Sequence, residues 1–209
     1  TDEGQVAAMD EGEVEEYHKN LLRSQKAQNY LRGRCISRDV MEIYNLGFDP
    51  ADEVVLFPVY SRRGDVLFYK SRSLVGKHFF NAKDIDKTAA VYGLYQTLEA
   101  KIPDSTEIWL VESEIDALSL VSKGILAWAF MGSDISEKQI KEMCQSPYRR
   151  FVIATDNDEA GRKAARRIKD KLIPLGFRFF NLKWLTDLKD VNELIQNYGD
   201  DFESYLQRF

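Results

Sequence analysis

Apolar and polar positions follow two rhythms along this chain, and the change between them falls near Ile108. From there on, short continuous apolar runs alternate with amphipathic stretches. "IWLVE", "ILAWAFMG", "RFVIATD" and "FRFFNLKWL" are predicted as four strands. The helices predicted between them are "SEIDALSLVSKG", "SEKQIKEMC" with Ser136 as its cap, and "DEAGRKAARRIKDKL"; the tail "KDVNELIQNYGDDFESYLQRF" is predicted mostly helical. Strands that are apolar throughout, alternating with helices, point to a parallel sheet covered on both faces.

Upstream the pattern differs. Val14, Tyr17, Leu21, Tyr30 and Leu31 fall near one face of a helix that begins at about Glu13, with Gly33 as its stop. Ser37 is placed to cap a second short helix through Val40, Ile43 and Tyr44, ended by Gly47. "EVVLFPVYS" and "DVLFYKSRSL" read as a hairpin turning through Arg62-Arg63-Gly64-Asp65. Strand alternation puts Phe68, Lys70 and Arg72 on one face, an aromatic ring beside two cations.

Composition then narrows the class. The 209 residues, 44% hydrophobic and 30% charged, suffice for one mixed domain or two small ones. The organisation expected is an acidic, disordered stretch over residues 1–16, a basic subdomain over 17–100, and an α/β domain over 101–209. No apolar run is long enough for a membrane span, and the acidic start is not a signal peptide. Two distant cysteines, Cys35 and Cys144, argue for a reduced, cytoplasmic protein without a structural zinc site. The net charge of −5 conceals a division. Residues 1–16 carry seven acids and no base, and the remainder holds 27 acidic against 29 basic residues, a net +2. Residues 59–83 set Arg62, Arg63, Lys70, Arg72, Lys77 and Lys83 against Asp65 alone. Such segregation marks either a polyanion partner or a charged edge hairpin.

Candidate chemistry lies at the carboxyl ends of the predicted parallel strands, where ligands of open sheets bind. Glu112 closes the first strand, Asp156 the third with Asp158 two residues on, and Asp187 and Asp190 follow the fourth. Glu114 and Asp116 fall in the helical turn after Glu112. Taken singly, Asp156 or Asp158 reads as a helix N-cap. Taken together, carboxylates converging on one cleft repel unless a cation neutralises them. Oxygen donors without His or Cys suit Mg²⁺ or Mn²⁺.

The ordered set "WLVESEIDALSL", "ATDNDEAGRKAA" and "LKDVNELI" resembles the three acidic signatures of the Toprim domain of DnaG-type DNA primases, closest in layout to the primase half of phage and mitochondrial-type primase–helicases. Upstream, "NYLRGRCISRDVMEIYNLGF", "VLFPVYSRRGDVLFYKSRSLVGKHFFNA" and "VYGLYQTLEA" resemble the basic subdomain that precedes Toprim in these enzymes. The similarity covers about residues 17–209. It implies an α/β Toprim domain, a parallel sheet flanked by helices, behind a small mixed α+β basic subdomain. It implies that Glu112, Asp156 and Asp158 are catalytic, and that with Asp116 and Asp190 they hold two Mg²⁺ or Mn²⁺ ions. Arg62, Arg63, Lys70, Arg72, Lys77 and His78 match positions that contact nucleotide and template. One departure is Ser113, where the family usually has glycine after the glutamate.

The implied activity is that of a nucleotidyltransferase, a DNA primase that makes short RNA primers on single-stranded DNA from ribonucleoside triphosphates during replication. The resemblance further implies a replicative helicase and a zinc-ribbon module as partners, since this chain has neither a Walker A sequence nor a ribbon. The opening Thr1 is compatible with a fragment of a longer protein. The rival readings are a Toprim nuclease and a non-catalytic nucleic-acid-binding module of recombination or repair.

Overall fold

The structure, a computed structural model, describes residues 11–74, 86 and 88–209. The predicted contacts of Lys77 and His78, and residues 1–10 of the expected disordered start, lie outside the described residues. Residues 11–16 do not follow that expectation: helix α1 runs Glu11–Arg23, with acids in its first turn where the helix dipole favours them. The single long helix expected through Gly33 is two. Ser24 breaks it, accepting the Ala27 N–H on its Oγ at 3.2 Å and so capping α2, Gln25–Gly33. Ser37 caps α3, Arg38–Ile43, as its position predicts.

A three-stranded antiparallel sheet follows, in the order β1-β2-β3: β1 Gly47–Asp49, β2 Val54–Tyr60 and β3 Val66–Ser73. Strands β2 and β3 are the expected hairpin. Its turn contains Gly64 at φ +97°, a conformation that favours glycine. Three-residue β1 is too short to show a period, and the sequence pattern missed it. Helix α4, Leu94–Glu99, leads into the second unit.

That unit carries a five-stranded sheet in the order β5-β4-β6-β7-β8. Strands β4 (Glu107–Val111), β5 (Ala127–Ala129), β6 (Arg150–Ile153) and β7 (Arg178–Trp184) are the four predicted ones, all parallel. Strand β8, Leu206–Arg208, pairs antiparallel with β7 at the end of a tail expected to be mostly helical. Helices α5 (Glu114–Ser122), α6 (Glu137–Cys144), α7 (Glu159–Leu172) and α8 (Val191–Tyr198) complete it. Helix α6 starts with a reciprocal Ser136–Gln139 capping box.

Both sheet faces are buried, which is why the strands read as unbroken apolar runs. Along β4, Ile108 and Leu110 face a core with Trp128, Phe151, Ile168 and Leu172. Trp109 and Val111 face the other core, with Leu118, Leu194 and Phe202. That second core continues without a break into Leu21, Leu31, Val55, Phe57 and Phe68 of the upstream unit. The antiparallel sheet is thereby packed beside the carboxyl end of the parallel one. No helix among the described residues is long and apolar enough to cross a membrane.

Candidate active site

Strands β4 and β6 are parallel neighbours, so their carboxyl ends open side by side. Glu112 directly follows β4, and the Ala154–Asp156 segment follows β6. The Glu112 Oε1 accepts the backbone N–H of Asp156 at 3.1 Å, joining the two strand ends. Helix α7 then starts so close to this loop that a Cβ on Gly161 would stand 2.0 Å from the Asp156 carbonyl oxygen. Only glycine fits there. Asp158 caps that helix, its Oδ1 accepting the Gly161 N–H at 2.8 Å. The two aspartates therefore differ in role: Asp158 caps a helix, and Asp156 lines a cleft.

That cleft, of about 370 Å³, is also lined by Glu112, Asp116 and Asp190. Ser113 caps α5, accepting the Asp116 N–H at 3.2 Å, and donates its hydroxyl to Asp116 Oδ2 at 2.5 Å. Serine thus preserves the turn at a position where the resemblance leads one to expect glycine. Asp116 Oδ1 accepts the Asn192 N–H at 2.9 Å from the first turn of α8, and Asp190 caps that helix by accepting the Glu193 N–H at 2.8 Å.

Crowding shows in the protonation of these groups. Burial, then the neighbouring Asp190, push Asp116 up from 3.8 to about 7. Asp190 is raised as well, chiefly by burial. Glu112 is raised by burial and then by Asp156 and Asp158. Lys189 donates to Asp156 Oδ2 at 2.9 Å, and its pKa rises accordingly. The acidic donor set is all oxygen, which fits a hard dication such as Mg²⁺ or Mn²⁺. Among the described residues no three His, Cys, Asp or Glu side chains stand close enough to cage an ion as they are. The Lys189 ammonium stands where a cation on Asp156 would stand.

The basic residues expected to hold nucleotide and template separate into groups. Lys70 and Arg72 on β3 do reach the cleft, but as partners of the fully buried Glu114. Lys70 pairs with Glu114 Oε2, and Arg72 Nε lies 3.5 Å from Oε1. Burial would raise Glu114, yet these two cations hold it below its ordinary value. Arg62 and Arg63 lie elsewhere, at the hairpin turn beside α6, with Arg62 Nε 3.8 Å from Glu142. Sequence reasoning missed Arg34, Lys189, Asn157 and Asn192 as site residues. Arg34 lines the cleft from the end of α2, and its carbonyl accepts from Asn192 Nδ2 at 2.7 Å. For Lys189 and Asn192 the clue lay in the "KDVN" string itself; for Arg34 no local pattern exists.

A parallel sheet with glutamate and aspartate at the ends of two adjacent strands is the arrangement of a Toprim domain, and residues 109–195 match the family described as Toprim-like. More particularly, the whole chain resembles DnaG-type primases. It is 25% identical over 236 residues to a DNA primase of Pseudomonas aeruginosa, covering 89% of this chain and 35% of that one. It therefore spans about a third of that primase's length. An uncharacterized protein of Mycoplasma genitalium, MG010, is 27% identical over 198 residues, covering 91% of both chains. The fold superposes on a DnaG primase catalytic domain bound to single-stranded DNA with a TM-score of 0.75, 22% identity, and coverage of 93% of this chain and 77% of that one. The primase fragment of the bacteriophage T7 primase–helicase scores lower, 0.62 at 20% identity, with coverage of 83% and 71%. The Toprim-containing, DnaG-type architecture is as the sequence resemblance implied, although the layout superposes better on the DnaG domain than on the phage fragment.

Proposed function

We propose that this chain is the catalytic part of a DNA-dependent RNA primase, joining ribonucleotides into short primers on a single-stranded DNA template. The observation that carries this reading is the Glu112–Asp156 contact at the mouths of β4 and β6, in a cleft walled by cations of the upstream unit. Asp156, Asp116, Asp190 and the free oxygen of Asp158 are the ligands proposed for two Mg²⁺ ions, with Glu112 beside them. When bound, such ions neutralise the triphosphate and acidify the attacking hydroxyl. Glu112 Oε2, the oxygen not engaged by Asp156, is placed to take the proton of the primer 3′-hydroxyl as its oxygen bonds to the α-phosphorus and pyrophosphate leaves. Its raised pKa suits it to that proton. Arg34 and Lys189 line the same cleft and supply positive charge for the triphosphate. Lys70 and Arg72 act through Glu114, holding the start of α5 in place. A helicase and a zinc-ribbon module are the proposed partners.

The test incubates the protein with single-stranded DNA, labelled ribonucleotides and Mg²⁺ or Mn²⁺. Asp156→Ala is expected to lower primer synthesis by about 100-fold or more while leaving the circular dichroism unchanged. Synthesis at the parent level by this variant would sink the mechanism, and cleaved DNA in place of RNA would replace it with a nuclease.

A further inference from the structure

Behind the Asp156–Asn157 loop, on the side away from α8, lies a second cavity of about 380 Å³ between α7 and β7. Its lining is basic: Arg162, Arg166 and Lys169 from α7, and Lys183 from β7, with Asp156 as the sole acid. Trp184 and the exposed Phe209 add aromatic surface.

The six cations of α7 divide by helix face. Lys163 pairs with Glu159 at 2.6 Å, and Arg167 and Lys171 pair with Asp134 at 3.2 and 3.3 Å. These three sit four residues apart, on one stripe. Arg162, Arg166 and Lys169, which form the stripe facing the cavity, have no carboxylate partner among the described residues, and neither does Lys183. Lys169 donates only to the neutral Asn181 Oδ1, at 2.5 Å. Burial, with the nearby Arg166, disfavours its charged form and outweighs the opposing charge of Asp170. On the neighbouring stripe of the same helix every cation has a carboxylate partner, a contrast that a merely solvated basic face would not show.

We propose that this trough binds the phosphodiester backbone of a nucleic-acid strand passing the catalytic cleft. The inference rests on the primase reading for what the strand is, and on the trough's own charge for its binding. Arg162 and Arg166 are spaced about 6 Å along the helix axis, roughly one nucleotide step of an extended strand. Trp184 and Phe209 offer faces on which bases can stack, as in other single-strand tracks. Asp156 lines both cavities, so a strand in the trough reaches the carboxylates of the cleft.

The experiment measures binding of labelled oligothymidylate by fluorescence anisotropy across a salt series, without metal or nucleotide. Two charge-matched variants are compared, Arg162→Ala/Arg166→Ala on the trough face and Lys163→Ala/Arg167→Ala on the paired face. Thermal unfolding verifies that both fold. The trough variant is expected to bind about 20-fold more weakly at about 0.1 M salt, with the slope of log K against log salt shallower by about 1.4; the paired-face variant should bind as the parent does. Equal behaviour of the two variants overturns the proposal. So does displacement of the strand from the trough by free ribonucleoside triphosphate at the strand's own concentration, which would make the cavity a mononucleotide site. Turnover does not enter this readout. A parent that makes no RNA yet shows the difference between variants keeps the trough and loses the primase reading. A parent that makes RNA while the two variants bind alike loses the trough alone.

Discussion

Gly161→Ala should destabilise the protein and disable the site, although it places the best helix-forming residue in a helix. At an unconstrained interior position the change would stabilise by about 1 kcal/mol. Here the new Cβ would lie 2.0 Å from the Asp156 carbonyl oxygen, 2.8 Å from its carbon and 2.9 Å from its nitrogen. All three atoms are backbone, so no side chain can rotate away, and the loop or the helix must move by about 1 Å. Overpacking of this kind costs about 3 kcal/mol at the upper end of its usual range. The net loss is then about 2 kcal/mol, or a fall of about 4–8 °C in Tm for a chain of this size. The same displacement pulls the Asp156 N–H from Glu112, and misplacement by about 1 Å in a catalytic site can cost about 100-fold in rate. Thermal unfolding followed by circular dichroism and primer synthesis by gel measure the two effects. Gly33→Ala is the control: it closes α2, and nothing lies within 4 Å of where its Cβ would be, so its Tm should match or exceed the parent's. If Gly161→Ala behaves like Gly33→Ala, the close approach of α7 to the loop is not what positions Asp156.

The raised carboxyl of Asp116 gives a pH dependence of definite sign. The folded state retains a proton that the unfolded chain loses above pH 3.8, so metal-free stability should fall as pH rises from there to about 7. Asp116→Asn should flatten that decline in Tm against pH, and an unchanged slope would refute the assignment. Lys70→Met leaves buried Glu114 with Arg72 alone and should cost about 3 kcal/mol in urea unfolding, because breaking a buried pair strands a charge. An unaltered midpoint would return Lys70 to the role of a simple template contact. Lys189→Met removes the ammonium that a metal must displace from Asp156; a partly exposed pair is worth about 1 kcal/mol, so Mg²⁺ affinity by calorimetry should tighten about fivefold. Weaker or unchanged affinity would show that Lys189 does not compete for the site.

Much of this architecture was legible because it depends on local rules. Parallel strands buried on both faces must be apolar throughout, and Ser37 and Ser136 cap their helices wherever the rest of the chain lies. The acids after β4 and β6 could be paired from sequence because the right-handed alternation of strand and helix brings those ends to one edge. What stayed hidden depends on contacts distant in sequence. Three-residue β1 and β8 exist because β2 and β7 offer them an edge, and their own residues show no period. Glu114 looked like an ordinary first-turn acid until β3 was seen to cover it, which also gave the cleft-lining Lys70 and Arg72 a second part as its counter-ions. Arg62 and Arg63 shared their strands' charge but were carried away from the cleft by the hairpin's own length.

The remaining physical question is how a fold holds several like-charged groups together before any ion arrives. Backbone N–H groups do it one carboxylate at a time. Glu112 accepts from Asp156, Asp116 from Asn192, Asp158 from Gly161 and Asp190 from Glu193. Each bond favours the charged form of its acceptor and so offsets part of the repulsion and burial. Each also engages only one oxygen, and except in Asp116, whose second oxygen takes the Ser113 hydroxyl, the other has no such backbone or hydroxyl donor. Asp156 alone among the five relies on a side-chain cation, Lys189. Asn157 explains how that cation comes to be there. Its Nδ2 donates to the carbonyls of Thr186 and Leu188 at 2.9 and 3.0 Å, and its N–H to that of Lys189 at 2.6 Å. The three residues Asp156, Asn157 and Asp158 thus act as a latch: the first meets the end of β4, the second draws in the segment bearing Lys189 and Asp190, and the third starts α7. Among these five, the one carboxylate without a backbone donor is thus held by a lysine whose side chain is 59% exposed, so Asp156 is the carboxylate whose existing partner is most open to exchange with solvent ions.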